Sequence, residues 1–401
     1  MRGSAGPDRA RWSAWRIVTF FGLVSMAGDL VYEGARSITG PYLASLGAGA
    51  LLVGIVTGVG EGAALVLRLV FGPMADRSGA YWGLATAGYA MTAICVPLMA
   101  VAPYAGGAGL VLASAMVLGE RVGKAVRSPA KSTLLAHSAR ELGRGRGFAV
   151  QKALDQVGAF GGPLIVAGFA AWTGHLWWGL AVLAIPGALS MVLLGVLRRH
   201  APSPEPPPLS TEPADLRLGR EFHLFAVSCA ASTLGLMTFG VIGFHLAQAG
   251  LLSAALVPVA YAGAMLVEAV AALVTGFAFD KHGGAVLLIL PPIICFIPAL
   301  SLSSTLVLAM VGLGLWGIAT GVQDSTVKAL VADLAPAGRT ATAYGVFAAW
   351  QGGAAVAGGA LAGWLFRSPA LSVVVIATQV VAFVLLVTVV RSTHRPDRLD
   401  A

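Results

Sequence analysis

Twelve stretches of this chain stay apolar for about the thickness of a bilayer, and that pattern leaves few folds open. They fall near residues 15–41, 50–72, 81–102, 107–127, 147–171, 175–197, 222–246, 252–277, 284–301, 304–327, 342–365 and 369–390. A helix of about 20 residues crosses the roughly 30 Å of hydrocarbon. Inside lipid every backbone N–H and C=O must be bonded within its own segment, so helices are the expected form. Only 11% of the 401 residues are charged and 57% are hydrophobic, outside the range of soluble domains. The sequence therefore predicts an all-α, polytopic membrane protein with twelve transmembrane helices. The first stretch follows Arg2, Arg9, Arg11 and Arg16 without a small-residue cleavage site, and reads as a retained span, not a signal peptide.

A proline-rich polar stretch, Ala201 to Pro213, can neither cross a membrane nor continue a helix. It divides the chain into an N-terminal six-helix bundle (1–198), a cytoplasmic linker (199–220) and a C-terminal six-helix bundle with a short tail (221–401). With both termini cytoplasmic, every Lys and Arg outside a span except Arg367 lies on the inner side, which accounts for most of the net charge of +8. Nucleic acid is not an expected partner. Cys95, Cys229 and Cys295 lie in apolar runs without C-x-x-C spacing, so no disulfide framework, zinc site or other metal centre is expected, and no cofactor. No nucleophile–base pair or phosphate loop points to an enzyme.

Charges inside the spans are the candidate functional residues. Asp29, Glu33 and Arg36 stand at i, i+4 and i+7 on one face of the first span. A charge at bilayer centre costs at least about 2.5–3.5 kcal/mol, so such a face turns to the bundle interior or to a water-filled cavity. The set can bind substrate or proton, or Arg36 can simply neutralise Glu33 and lock the helix to a neighbour. Glu61 and Arg68 share a face of span two, and Glu61 can pair with Arg36 or Arg68. Gly54, Gly58 and Gly62 form a small-residue packing face on the same span. In span four Lys124, Arg127 and Lys131 align near the inner end. Together with Arg140, Arg144 and Arg146 they are read as topology and anionic-lipid contacts in preference to the alternative, substrate binding. Ser128 and Pro129 are read as the cap and first residue of a short surface helix ending at Gly143. Asp155 is expected to pair with Lys152, Arg121 or Arg68. In span five Gly158, Gly162 and Pro163 predict close packing and a kink. Glu268 is the mid-membrane carboxylate of the second half, with Tyr261 and Met265 on its face. Tyr344, Gln351 and a run of glycines mark span eleven, and Asp324 and Lys328 form an i, i+4 pair at the inner end of span ten.

An internal repeat ties the halves together. Gly72, Asp76 and Gly79 after span two recur as Gly276, Asp280 and Gly283 after span eight, at a constant offset of 204 residues. Twelve spans, a central linker and the doubled G-x-x-x-D-[RK]-x-G loop resemble the major facilitator superfamily over nearly the whole chain. That resemblance implies two pseudo-symmetric six-helix bundles around a midplane site and a conformational latch at Gly72, Asp76, Arg77 and Gly79, echoed at Gly276, Asp280 and Gly283; the pairing of Asp155 is read as a structural or gating bridge. The usual basic residue after the last loop glycine is replaced by Ala80-Tyr81-Trp82. It also makes Arg121 a candidate coupling residue and the G-x-x-x-G-P element at Gly158–Pro163 similar to that of family antiporters. The expected activity is secondary transport of a small organic solute by a monomer in the bacterial inner membrane, coupled to H+ and of the antiport, efflux type. Asp29, Glu33, Arg36, Glu61, Arg68, Arg121 and Glu268 would form the site. Two alternatives carry the same fold: a soft-metal importer using Met237, His245 and Met265, with Thr233 and Tyr261 where further soft ligands would be needed, and a non-transporting receptor or assembly partner.

Overall fold

The structure, a computed structural model, describes residues 12–140, 144–202, 204, 218–335 and 340–393. Among them there are sixteen α-helices and no strand. The first half of the chain supplies α1 (Ala14–Ser45), α2 (Ala50–Val66), α3 (Arg68–Ser78), α4 (Tyr81–Met99), α5 (Gly109–Ser138), α6 (Arg144–Thr173), α7 (Leu176–Ala181) and α8 (Ala184–His200). The second half supplies α9 (Arg220–Leu236), α10 (Phe239–Gln248), α11 (Val257–His282), α12 (Leu290–Ser301), α13 (Leu306–Val322), α14 (Lys328–Leu334), α15 (Thr340–Trp364) and α16 (Pro369–Thr393). Most of the linker predicted at 199–220, and Gly143, lie outside the described residues.

Among the described residues nine helical stretches are long and apolar enough to cross a membrane, with α2–α3, α7–α8 and α9–α10 each forming one such stretch. One stretch, Val257–Ser301, is 45 residues long and is two crossings, because α11 ends at Gly283 (φ 56) and a 3-10 turn over Gly283–Ile289 leads into α12. The remaining two of the twelve predicted crossings are α5 and α15. The first carries Glu120, Arg121, Lys124 and Arg127 through its length, and the second is diluted by glycine, which lowers the hydropathy of both. Successive crossings reverse direction. The start of α1, the ends of α3, α5 and α11 and the end of α16 therefore share one end of the bundle. It carries Arg77, Arg140, Lys281 and Arg391 and is termed the basic end.

Each half has its own core. Phe222, Phe225, Tyr261, Ile294 and Trp316 anchor a buried cluster drawn from the second half, while Val31, Ile38, Tyr42, Val96 and Leu183 anchor one that, apart from Phe244, comes from the first. Between the halves the closest approaches are backbone on backbone, at the end opposite the basic one. A Cβ on Gly40 would strike the Gly240 carbonyl, and one on Gly54 the Gly359 carbonyl. The predicted packing face of span two is seen in full, with Gly58 against Ala355 and Gly359, and Gly62 against Gly352 and Val356. Small residues drive such contacts in lipid because the gain there is close packing, not water release.

Three local features depart from the sequence reading. No surface helix starts at Ser128: α5 runs through Ser128 and Pro129 to Ser138, and the Ser128 hydroxyl bonds back to the Lys124 carbonyl (2.7 Å) instead of capping a new turn. One turn without a proline N–H costs less than exposing two helix ends. Second, α9 and α10 break at Met237, a non-glycine residue with φ 61, whose carbonyl accepts from Trp316 Nε1 (3.2 Å). Third, a π-helical turn over Gln323–Val327 interrupts the end of α13. Unwound or bulged helix at mid-depth survives only where it faces protein or a cavity, and is a common device of binding sites. In the repeated loop, Gly79 (φ 62) and Gly283 take the conformation that glycine tolerates. Gly72 and Gly276 have no heavy atom within 4 Å of a Cβ, so no neighbouring helix closes on them in this conformation.

Substituting Gly359 by Val forces a side chain onto the Gly54 carbonyl and the Gly58 Cα (2.7 Å). It is expected to destabilise the protein by about 1–3 kcal/mol, the usual cost of overpacking. Gly168→Ala, at an open position within α6, should instead stabilise by about 0.5–1 kcal/mol. Thermal unfolding of both variants in the same detergent checks the pair.

Candidate functional site: a charged cavity between the halves

A cavity of about 370 Å³ lies where the two halves face each other, walled by α1, α2, α5 and α6 on one side and by the α9–α10 break, α11, α13 and α15 on the other. Its upper layer is built around Arg36. The guanidinium stands 3.0 Å from Glu61 and 3.6 Å from Glu33, and donates to the Tyr261 hydroxyl (3.2 Å), which in turn donates to Glu33 (2.5 Å). Tyr261 belongs to the second half, so this triangle spans the interface. Glu61 also faces Arg121 at 3.5 Å. Arg121 donates to the Tyr32 hydroxyl and lies 3.6 Å from Glu120, and both members of that last pair are at most 4% exposed. Arg36 thus neutralises Glu33 and binds a second helix and the opposite half as well.

The lower layer lies closer to the basic end. Asp29 leaves its face-mates and pairs with Arg127 (3.6 Å), which also donates to Thr92 (2.6 Å) and lies 4.7 Å from the Tyr89 ring centre. Lys131 donates to Ser25 (2.9 Å) and stands 3.8 Å from Asp155, whose other partner is Gln151. Lys124 rests its ammonium 3.5 Å from the centre of the Tyr32 ring, a cation–π geometry. Among the described residues Lys124, Arg68, Lys152 and Glu268 line the cavity without an ion pair. The π-helical turn brings Gln323 and Asp324 into the same wall.

Of the residues expected at the site, Asp29, Glu33, Arg36, Glu61, Arg68 and Glu268 all line this cavity, and Arg121 backs it through Glu61. Glu61 pairs with Arg36 and Arg121, not with Arg68. Two expectations are overturned. Asp155 takes Lys131, and not Lys152, Arg121 or Arg68, because α5 continues past Pro129 and carries Lys131 against α6. Lys124, Arg127 and Lys131 are not lipid contacts but cavity walls, with Arg127 buried. Their alignment on one face of span four was the signal, and the count of positive residues near a span end obscured it. Gly158 and Gly162 pack on α1: a Cβ on Gly158 would meet the Met26 carbonyl (2.6 Å) and the Asp29 Cβ (3.1 Å), so the small residue fixes where Asp29 sits. The helix runs on through Pro163. Asp76 accepts from the Tyr81 hydroxyl (3.1 Å), five residues on. Gly72 and Asp76 border a second cleft, and Gly276 and Asp280 a small third one of about 290 Å³. Among the described residues no cluster of His, Cys, Asp and Glu is disposed to hold a metal ion.

The sequence matches the Major Facilitator Superfamily profile over residues 20–251. The chain belongs to the major facilitator superfamily. It is 48% identical over 391 residues to an uncharacterised protein of Mycobacterium tuberculosis (strain H37Rv), covering 95% of this chain and 94% of that one. It is 25% identical over 363 residues to an uncharacterised MFS-type transporter of Methanocaldococcus jannaschii, covering 87% and 88% of the two chains. Among solved structures the fold is similar to a point-mutant form of the nucleoside transporter NupG (TM-score 0.71, 14% identity, 94% and 100% covered). It is likewise similar to a peptide transporter POT bound to sulfate (TM-score 0.71, 16% identity, 97% and 96% covered). This superfamily member is a multi-pass membrane transporter, and the charged cavity sits where its two halves meet.

Tyr261→Phe keeps the ring against Phe239 and Trp316 while deleting the hydroxyl that joins Glu33 and Arg36 across the halves. A hydrogen bond to a charged group contributes about 1.5–3 kcal/mol, so the closed end should open more often. Labelling of a cysteine introduced at Gly243, which packs against Pro41 at that end, is expected to be faster in the Tyr261→Phe background than in the otherwise wild-type one.

Proposed function

We propose that this transporter exchanges protons for a small organic solute carrying at least one charge, by rocking its two bundles about the cavity, with the basic end cytoplasmic. The positive-inside distribution supports that sidedness, and an even number of crossings then puts both termini in the cytoplasm of a bacterial cell. The lining of the cavity supports the charged solute. Arg36, Arg68, Lys124, Arg127, Lys131 and Lys152 face it together with Asp29, Glu33, Asp155 and Glu61 from the first half, whereas Glu268 and Asp324 face it from the second. One wall is net positive and the other negative, a complementarity that a solute with both signs, or an anion with a proton, satisfies on both sides.

The observation that carries the coupling is Glu33. Its carboxylate accepts from Tyr261 of the opposite bundle and faces Arg36 of its own helix. A proton on Glu33 removes the charge that holds both, so loading it loosens the closed end, and losing it reseals that end. Glu268 has no described ion pair to break and is the second carboxyl able to exchange a proton with solvent in the cavity. The repeated loops fit a latch for the opposite conformation: Asp76 binds only its neighbour Tyr81 among the described residues, and the spaces beside Gly72 and Gly276 are open. In that conformation Gly72, Asp76, Arg77 and Gly79, with Gly276, Asp280 and Gly283, would close the basic end, Asp155 would change partners, and α6 would bend at Gly162–Pro163.

In proteoliposomes with an imposed pH gradient, Glu33→Gln should cut gradient-driven flux by about tenfold or more, the scale of losing one charge-assisted bond. Solute exchange at equal pH should persist. Unchanged coupled flux in the Asp29→Asn, Glu33→Gln double variant would sink the assignment.

A further inference from the structure

The charged cavity does not end at Arg68. A second and larger space, about 1190 Å³, lies between α2–α3 and the facing helices α9 and α15, and Leu65, Arg68 and Gln351 wall both spaces. Apart from Arg68, Asp76, Tyr344 and Gln351, the walls of this cleft are Leu, Val, Ala, Gly, Pro, Phe and Trp. They come from residues 65–76 and 227–234, in the basic-end half of their crossings, and from 344–357, which reaches just past the middle of α15. On the same helices Val70 is 58% exposed and Trp350 45%, as expected of surfaces that meet lipid tails. The cleft is therefore largely apolar, has Asp76 at its basic-end rim, and leads at its deep end to a charged chamber.

Water fills such a space at a cost, since apolar cavities of this kind stay dry or take apolar matter. The junction has the opposite character. The Arg68 Nε is buried with no hydrogen-bond partner, an unmet donor that an anionic oxygen would satisfy. Glu61, one turn-pair above it, is already held by Arg36 and Arg121. Lys124, also without an ion pair among the described residues, supplies a second cation in the chamber. The chamber holds about 370 Å³, room for a compact headgroup only.

We infer that the substrate is a single-chain anionic amphiphile, whose tail occupies the cleft between α2–α3, α9 and α15 while its headgroup reaches Arg68 and Lys124 in the cavity. This deepens the proposed transport function and rests on it. It assigns a sideways route from the basic-end leaflet, so that the tail never leaves an apolar surface while the headgroup moves between layers of charge.

The test uses the full-length protein in phosphatidylcholine nanodiscs, with lysophosphatidylglycerol bearing a fluorophore at the chain terminus as the probe. Lysophosphatidylcholine and free glycerol phosphate serve as competitors. The probe is expected to bind at least tenfold more tightly than either competitor. Ala231→Trp and Ala348→Trp, which fill the cleft from two different helices, should each weaken probe binding at least tenfold and leave glycerol phosphate binding unchanged. Arg68→Gln should weaken both ligands and remove the preference over lysophosphatidylcholine. Equal competition by lysophosphatidylcholine would reduce the cleft to a seat for bulk lipid and overturn the assignment, as would unaltered binding in both tryptophan variants. Coupling is read separately. Loss of probe binding with pH-driven flux of a water-soluble solute intact sinks the amphiphile and spares the transport reading. Probe binding that survives alongside flux indifferent to Glu33→Gln spares the amphiphile and sinks the coupling.

Discussion

Arg36 is a full positive charge near the middle of a membrane helix, and much of the structure around it answers that fact. A guanidinium there is tolerable only with carboxylates at hand. Glu33 is one turn away on the same helix, and Glu61 arrives because α2 crosses beside α1. Glu61 then attracts Arg121, and Arg121 is backed by Glu120, so a single half-buried cation recruits a chain of alternating charges across three helices. Removing one member would strand its neighbours in a low-dielectric interior, which makes the chain cooperative. The glycines of α6 belong to the same logic, because only a helix without side chains at 158 and 162 lets α1 sit close enough for Asp29 to meet Arg127.

The two halves use their polar residues differently. The first concentrates ion pairs, and the second offers a tyrosine hydroxyl, a broken helix at Met237 and a π-helical turn at Gln323–Val327. This division has a mechanical consequence. The charge chain rigidifies the first bundle and fixes the positions of its cations. The second bundle touches it through few polar bonds, among them Tyr261 to Glu33, Thr57 to Thr238 (2.7 Å) and Gln156 to the Met265 carbonyl (3.5 Å). A rigid charged wall opposite a wall joined by separable contacts suits a molecule whose halves must part and rejoin.

Much of this was legible in the chain itself. Bilayer-length apolar runs located the twelve crossings, and the i, i+4, i+7 spacing of Asp29, Glu33 and Arg36 placed them together on the cavity. The offset of 204 residues located both glycine turns. What failed did so for physical reasons. Ser128-Pro129 has the local chemistry of a helix start, but tertiary packing of Lys131 against Asp155 kept α5 intact. Lys124, Arg127 and Lys131 lie where topology also wants positive charge, and two explanations for one residue type cannot be separated by position alone. The break falls on Met237 itself and not on Gly235 or Gly240 nearby, where a chain-breaking residue would place it. Its backbone conformation is set by the Trp316 indole 79 residues away, a contact that single-sequence periodicity cannot contain. The pairing of Glu61 with Arg36 was among the options, but choosing it required the crossing angle of α1 and α2.

The closed end shows how the same architecture can be both specific and reversible. Its closest contacts are glycine on glycine or on bare backbone: Gly40 to Gly240, Gly54 to Gly359, and Gly363 to the Ala50 carbonyl, with Phe244 the second-half side chain buried among first-half residues beside them. Such surfaces dock in one register only, since any Cβ would collide, yet they bury little side-chain area. In lipid there is no hydrophobic gain to hold them, so the closed arrangement depends on packing and on the few polar bonds beside it, each contributing about 0.6–2 kcal/mol. The gap between closed and open forms is then a few kcal/mol, the range in which a proton or a bound solute can reverse the populations. Had the seal been built mainly from Leu and Phe side chains interlocked across the halves, as Phe244 is, precise docking would have come with a barrier to separation. Glycine gives the register without it, and leaves the decision to the charges around Arg36.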